Sequence, residues 1–322
     1  MHCSLFIPDF FSSRSGAPAA RFAAAETLIA RGHRKRTAPV AAESWLFERF
    51  GARRQRDWPV GPYTLLADGG VPGGDFWMRA DPVHLSVARD TLALEGVTLD
   101  LSGAEAEALS ATLNRHFGEA LAFHTPRPER WYIRFREAPE LETTPPAAAR
   151  GAAIEELLPT GADAMRFCAL LNEVQMLLHQ HPVNTEREAR GAPTVNSVWF
   201  WGGGFFEAVG ARPFSFVLAE DPLARGVAIA AGATGRGLPA NAEAALSALP
   251  DEGKALIVLD AQGDESLERD WFAPLLAALE QGRIGMLSLH LGGGDSLLEV
   301  ETVRSDLRYF WRARKPLERY LA

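Results

Sequence analysis

ALIVLDAQGDESLERDWFAPLLAALEQGRIGMLSLHL, residues 255–291, is the stretch that decides the fold class. Ala255–Asp260 is a short unbroken apolar run, which reads as a strand buried on both faces. Trp271–Gln281 has the length and apolar spacing of a helix, and Ile284–Leu291 is a second buried strand. Strand, helix and strand in that order predict a parallel sheet covered by helices. Working outward, Phe214–Leu218 reads as another strand, Pro222–Arg225 opens a crossover, and Asn241–Leu249 reads as a helix. Cys3–Pro8 is a further apolar run that places Asp9 at the carboxyl edge of the sheet, where ligands of open α/β folds sit. Residues 17–32 predict a helix closed by Gly32. Its end runs into Arg31, His33, Arg34, Lys35 and Arg36, cations that complement a helix C-terminus. The expected fold is therefore α/β, a mostly parallel sheet with helices on both faces.

The middle of the chain reads differently. Residues 57–85 are rich in Gly, Pro and Trp and predict a long irregular segment of the kind that forms lids. Strand-like pieces follow at Val83–Val87 and Thr91–Leu94. Ser102 with Glu105 three positions later is a capping box opening a helix to about Phe117. Trp131–Phe135 alternates as a strand, and Thr143–Arg150 reads as loop. Across 162–180 the apolar positions Met165, Cys168, Leu171, Val174 and Leu178 mark one helical face. Pro182 pushes His181 out of the helical region, so His179 and His181 are expected to cap or solvate a helix end. In HPVNTEREARGAPTVNSVWFWGGG (181–204) a strand should put Trp199 and Trp201 on one face and Phe200 on the other. Gly202–Gly204 either turn the chain or let backbone approach closely. Asn184, Arg187 and Asn196 suit a lock between this segment and its strand. A smaller α+β subdomain at 75–160 is expected, inserted into a core of 1–74 and 161–322.

With 322 residues, 47% apolar and 23% charged, the chain has ample core for one large or two moderate domains. A net charge of −8 offers no general attraction to nucleic acid or an anionic membrane. The two cysteines, Cys3 and Cys168, lie in no CxxC pattern, so neither a disulfide scaffold nor structural zinc is expected. No apolar run approaches a bilayer span and the N-terminus lacks a signal-peptide pattern, which predicts a cytoplasmic protein. The C-terminal RYFWRARKPLERY interleaves Tyr309, Phe310 and Trp311 with Arg308, Arg312, Arg314 and Lys315. An amphipathic tail packed on the domain is the expectation there. A single-stranded nucleic-acid contact is the alternative.

Several segments carry a resemblance in a conserved order. His181–Gly204 resembles the HPxN…WxWGxG stretch of the archaeal-type cofactor-independent phosphoglycerate mutases, of the alkaline-phosphatase-like superfamily. LETTPPAAARGAAIEELLP (141–159) is similar to their TTPPHD passage, and Pro72–Asp75 with Ala80–Pro82 to their PGSD…GYDP loop. AIAAGATGRGLP (228–239) looks like their GATG loop. ALIVLDAQGDE (255–265) and LSLHLGGG (287–294) stand where they have VHVEAPDEAGH and LLxDHxTP. The same features resemble a bacterial family known as regulatory proteins of RpfE type. The resemblance implies an alkaline-phosphatase-like sheet and, for active mutases, two divalent metals with a serine nucleophile.

The departures fall where that chemistry would occur. Gly74 stands at the serine position, and glycine has no oxygen to carry a phosphoryl group. Leu289–His290 replaces an Asp–His pair, Asp264–Glu268 lacks its histidine, and Pro146–Ala148 lacks the His–Asp of TTPPHD. The expectation is a non-catalytic or altered homologue that binds a small ligand or a protein partner, with no catalytic residue, metal or cofactor. Candidate ligand contacts are Asp9, Asp75, Arg79, Asp81, His84, Asn184, Arg187, Asn196 and His290. The rival expectation is a metal-dependent phosphomutase or phosphatase rebuilt around Asp9, Asp75, Asp260, Asp264 and His290. A nucleic-acid-associated regulator, a third class, would rest on the basic clusters alone and is opposed by the acidic total charge.

Overall fold

The N-terminal apolar run forms the strand expected of it, β1 (His2–Ile7), with every residue from Cys3 to Ile7 buried. The computed structural model of the chain describes residues 1–11, 21–88, 91–94, 99–149, 157–260, 264–293 and 296–320. After β1 come α1 (Ala23–Arg31), β2 (His33–Thr37) and α2 (Ala42–Phe50). The chain then builds a second unit, Arg53–Ala208, before returning to complete the first, Met1–Ala52 with Val209–Ala322.

The second unit holds α3 (Val60–Ala67), β3 (Phe76–Val83), β4 (Leu85–Ala88), β5 (Thr91–Leu94), α4 (Gly103–Phe117), β6 (Leu121–Arg127) and β7 (Arg130–Phe135). It continues with α5 (Pro146–Ala149), α6 (Ala164–His179), α7 (Pro182–Ala189) and β8 (Ser197–Phe205). Its antiparallel sheet has the order β6-β7-β3-β8, with β4 and β5 paired separately. Strand alternation sorts the side chains by face. Met78, Ala80, Trp131, Ile133, Val198 and Phe200 join one core with Leu109 and Leu113 of α4 and Val174 and Leu178 of α6. On the opposite face, Trp77 and Tyr132 pack with Leu65 of α3.

The first unit resumes with β9 (Phe216–Ala219), α8 (Pro222–Ala230), β10 (Thr234–Arg236), α9 (Ala242–Ser247) and β11 (Lys254–Val258). A short α10 (Asp264–Leu267) leads through a π-helical turn, Glu268–Phe272, into α11 (Ala273–Glu280), and β12 (Met286–Gly293) and β13 (Ser296–Val303) close the sheet. The order is β10-β9-β11-β1-β12-β13-β2. The five strands from β10 to β12 run parallel, β13 is antiparallel to β12, and β2 is antiparallel to β13. Cys3, Leu5, Ile7, Ile257, Leu287, Leu289 and Leu291 form the core on one face with Leu28 of α1 and Leu275 of α11.

Several expectations change. The inserted unit starts at Arg53 and ends at Ala208, so the predicted division at 75 and 160 moves outward. The tryptophan strand is the reason, because β8 pairs with β3 from Phe76–Phe205 to Val83–Ser197. Residues 57–85 are a helix and a strand, since α3 and β3 bury the aromatic residues that made the segment look irregular. His33–Arg36 belong to an edge strand, where charged side chains discourage further pairing, and only Arg31 lies in the last helical turn. On α6 the buried positions are Phe167, Val174 and Leu178, while Met165 is 86% exposed. The capping box forms as read: Ser102 Oγ accepts from Glu105 N at 3.3 Å and Glu105 Oε2 accepts from Ser102 N at 2.9 Å.

The Gly202–Gly204 run does not turn the chain. It continues β8 to Phe205 and receives α3 and its lead-in. A Cβ on Gly202, whose φ is +66°, would lie 2.7 Å from Val60 Cβ, and one on Gly204 would lie 2.6 Å from Pro59 Cβ. Close backbone approach is thus the reason for glycine here. In the C-terminal tail Leu317 and Tyr320 enter the core, whereas Phe310 and Trp311 are 77% and 65% exposed.

Candidate functional site

In the first unit the carboxyl ends of the parallel strands carry carboxylates. Asp9 follows β1 and Asp260 follows β11, the neighbouring strand, and both are exposed. After β9, Glu220 Oε1 accepts from Leu238 N at 3.1 Å, and Asp221 Oδ1 caps α8 by accepting from Leu223 N at 2.8 Å. Glu43, in the first turn of α2, is half-buried. Burial pushes its carboxyl above the usual range, and the charges of Asp221 and Asp9 push the same way. Asp264 begins α10, and its side chain lies outside what is described.

The pair of divalent metals that the resemblance implies needs several ligands converging on one point. Among the described residues no group of three or more His, Cys, Asp or Glu is placed to hold a metal ion. The described donors do not fit that centre. Gly74 lies in the loop before β3, in the second unit, and a Cβ there would meet nothing within 4 Å. His290 lies within β12, in register with Phe6 of β1 and Glu299 of β13 and on the same sheet face. Its Nδ1 lies 3.2 Å from Glu299 Oε1, and the same oxygen accepts from Arg49 Nη2 at 2.6 Å. The His290 hydrogen bond holds the Glu299 carboxyl below its usual range despite partial burial. Trp45 stacks on Phe6 at 4.0 Å and tilts against His290 at 4.9 Å.

The remaining candidates lie in the second unit, and most are used by the fold. Arg79 is 8% exposed and is flanked in register by Tyr132 on β7 and Trp201 on β8. Its guanidinium lies 5.5 Å and 5.2 Å from those two ring centroids, a sandwich favourable to a desolvated cation. Asp81 supplies the counter-charge, accepting from Arg79 Nε at 3.0 Å and from Trp201 Nε1 at 2.8 Å. His84 Nδ1 is 2.9 Å from Thr194 O, and Asn196 bonds both backbone groups of Leu85 at 2.8 Å. Asn184 bonds Leu178 O, Val195 O and Val195 N. Arg187, 1% exposed, donates to Pro193 O, Leu99 O and Glu105. Buried polar groups with all their partners inside the protein serve as locks rather than ligand contacts. His181 caps α7 by accepting from Val183 N at 3.2 Å, while His179 is exposed. Asp75 is exposed and pairs with Arg134 at 3.4 Å.

The structure thus joins Arg79 with Asp81 directly, sets Asn184 and Arg187 on α7 with separate partners, and uses His84 and Asn196 to tie residues 84–85 to 194–196. Asp75 pairs elsewhere, and Asp9 and His290 belong to the first unit. Two polar clusters escaped the sequence reading. Asp68 accepts from Arg130 Nε at 2.6 Å and Tyr132 Oη at 2.6 Å. Burial would raise its carboxyl, but those hydrogen bonds outweigh it and hold the group below the usual range. Asp57 accepts from the Thr143 amide at 3.0 Å and from its hydroxyl, and that hydroxyl accepts from Gly202 N at 3.1 Å. Asp68 beside Gly69–Gly70 has the signature of a turn, so sequence carried no sign of its long-range partner.

Residues 68–184 match the sequence profile of the 2,3-bisphosphoglycerate-independent phosphoglycerate mutase family, and all of them lie in the second unit. The chain is 32% identical over 145 residues to that mutase from Methanosarcina barkeri, covering 41% of this chain and 35% of that protein. It is 29% identical over 168 residues to the probable mutase of Geobacter sulfurreducens, covering 49% of this chain and 42% of that one. The matched stretches therefore span about a third to two fifths of these relatives' length. In three dimensions the chain is similar to the cofactor-independent phosphoglycerate mutase from Thermoplasma acidophilum, with a TM-score of 0.50 and 15% identity, over 98% of this chain and 93% of that one. It is also similar to the PH0037 protein from Pyrococcus horikoshii, with a TM-score of 0.57 and 14% identity, over 94% and 87% of the two chains. This likeness shows the fold, an alkaline-phosphatase-like α/β architecture. No helix among the described residues is long and apolar enough to cross a membrane.

Proposed function

We propose that this protein is a binding protein related to the cofactor-independent phosphoglycerate mutases, with their scaffold kept and phosphoryl transfer lost. The observation that supports this reading is the contrast between the two units. The profile match lies wholly in the second unit, whereas the strand ends of the first unit present carboxylates that do not converge as metal ligands among the described residues. Gly74, at the place of the nucleophile by resemblance, has no side-chain oxygen. Removing a nucleophile and its metal ligands together abolishes nearly all rate enhancement, because such groups act as a unit. The resemblance to RpfE-type regulatory proteins favours a regulatory role exerted by binding a small molecule or a protein partner in the cytoplasm.

The test is direct. The full chain is incubated with 3-phosphoglycerate and manganese, and 31P NMR follows conversion to 2-phosphoglycerate. No conversion above a protein-free control is expected. Turnover on the order of 1 per second or faster, typical of enzymes, overturns the proposal. Two equivalents of transition metal retained through gel filtration would overturn it equally.

A further inference from the structure

Strands at the middle of a parallel sheet are ordinarily apolar on both faces, since helices cover both. In the first unit one face obeys, and the second keeps to it on β9 and β11 but departs from it on β1, β12 and β13. On the other, β1 presents His2 and Ser4, β12 presents Ser288 and His290, and β13 presents Glu299 and Glu301 in register with them. Ser4, Ser288 and His290 are buried, at 3%, 3% and 8% exposure. A cavity of about 440 Å³ opens over these residues, within the range of small-molecule sites. Lys254 flanks it from the start of β11, and Lys35 and Arg49 flank it from the other side.

The charges in this cavity are not self-cancelling. Arg49 and His290 occupy Glu299. Lys35, whose charge beside Glu299 helps to hold that carboxyl down, and Lys254 line the cavity with no salt bridge among the described residues. His2 Nε2 lies 2.8 Å from Ser288 Oγ. Burial holds the His2 imidazole below its usual range, and Lys254 pushes it the same way. We propose that this cleft binds a small phosphate-bearing molecule, with Ser4, Ser288 and His2 on its floor and Lys35 and Lys254 on its rims. A tetrahedral dianion can take donors from the floor and both walls at once, whereas a planar carboxylate takes them mainly in one plane. Glu301, which also lines the cleft, selects a phosphate carrying a hydroxyl that can donate to it. The floor residues His2, Ser4 and Ser288 and the rim residue Lys254 lie in the first halves of β1, β12 and β11, whereas Asp9 and Asp260 follow the ends of β1 and β11, so the proposal stands whether or not phosphoryl transfer is lost.

Equilibrium dialysis of the full chain tests this with radiolabelled inorganic phosphate and glycerol 3-phosphate at fixed ionic strength. Saturation at one equivalent is expected, with glycerol 3-phosphate the tighter ligand. Lys35→Gln and Lys254→Gln, both exposed and free of ion pairs, should keep the native circular dichroism and each weaken binding roughly tenfold. Lys315→Gln, outside the cleft, should bind like the parent. Absence of saturation by about 10 mM of either probe overturns the proposal. So do lysine variants that bind like the parent, or succinate competing as well as phosphate.

Discussion

Arg79 and Arg130 are largely buried guanidiniums of the second unit; each is held by one carboxylate, and Arg79 also lies between two aromatic rings. Asp68 is the more exacting case, because its side chain is fully buried yet ionised in the company of Arg130 and Tyr132. Removing one member of such a pair strands the other charge, which is far worse than never having built the pair. Asp68→Asn is therefore expected to lower the unfolding free energy by about 3 kcal/mol, read from urea denaturation followed by tryptophan fluorescence. A loss below about 0.5 kcal/mol, the size of a surface-pair effect, would show that Asp68 is not the anchor of this cluster.

At the scale of the element, α4 is stabilised twice at its first turn. Glu105 closes the capping box with Ser102 and also accepts from Arg187 and Arg190, so one side chain joins α4 to α7 and the residue after it. Burial alone would raise its carboxyl, but the Ser102 amide and hydroxyl and the two guanidiniums outweigh that and hold it at about 2. A depressed carboxyl contributes stability above the unfolded-state value and loses it as pH falls toward the folded one. Stability should thus decline between pH about 4.5 and pH about 2, and Glu105→Gln should flatten that decline while lowering stability at neutral pH. Thermal melts across that window check both. An unchanged slope in the variant would assign the acid loss to other groups. The β8 glycines make the complementary point, for they hold a helix against a strand by having no side chain at all.

For the whole molecule, the second unit is closed at its ends. Gln55 donates to Phe205 O at 2.8 Å and accepts from Phe205 N at 2.9 Å, which brings its first and last residues together. The first unit is sealed in the same way, with Ala211 N donating to Phe50 O at 2.9 Å. Each unit has its own core, the condition for folding alone. A fragment of residues 53–208 is expected to give dispersed amide NMR signals and a cooperative thermal transition. A collapsed spectrum without a transition would show that its stability depends on the first unit. The likeness to mutases in sequence is concentrated in this unit, although its candidate residues mostly fasten the unit to itself.

By itself the sequence determined the local grammar of this protein. The buried runs at 3–8, 255–260 and 284–291 became parallel strands, Gly32 ended α1, Ser102 and Glu105 capped α4, and Pro182 set the backbone of His181. Those features depend on periodicity and on groups three or four residues apart, which a single chain displays. Convergence over some sixty residues or more is different in kind. Only the tertiary structure decided that Asp68 meets Arg130, that β8 joins the inserted sheet, that Gly202–Gly204 receive α3, and that His290 lies on a polar sheet face. Which polar groups meet is set by register and packing, and neither leaves a mark in the spacing of residues along one segment.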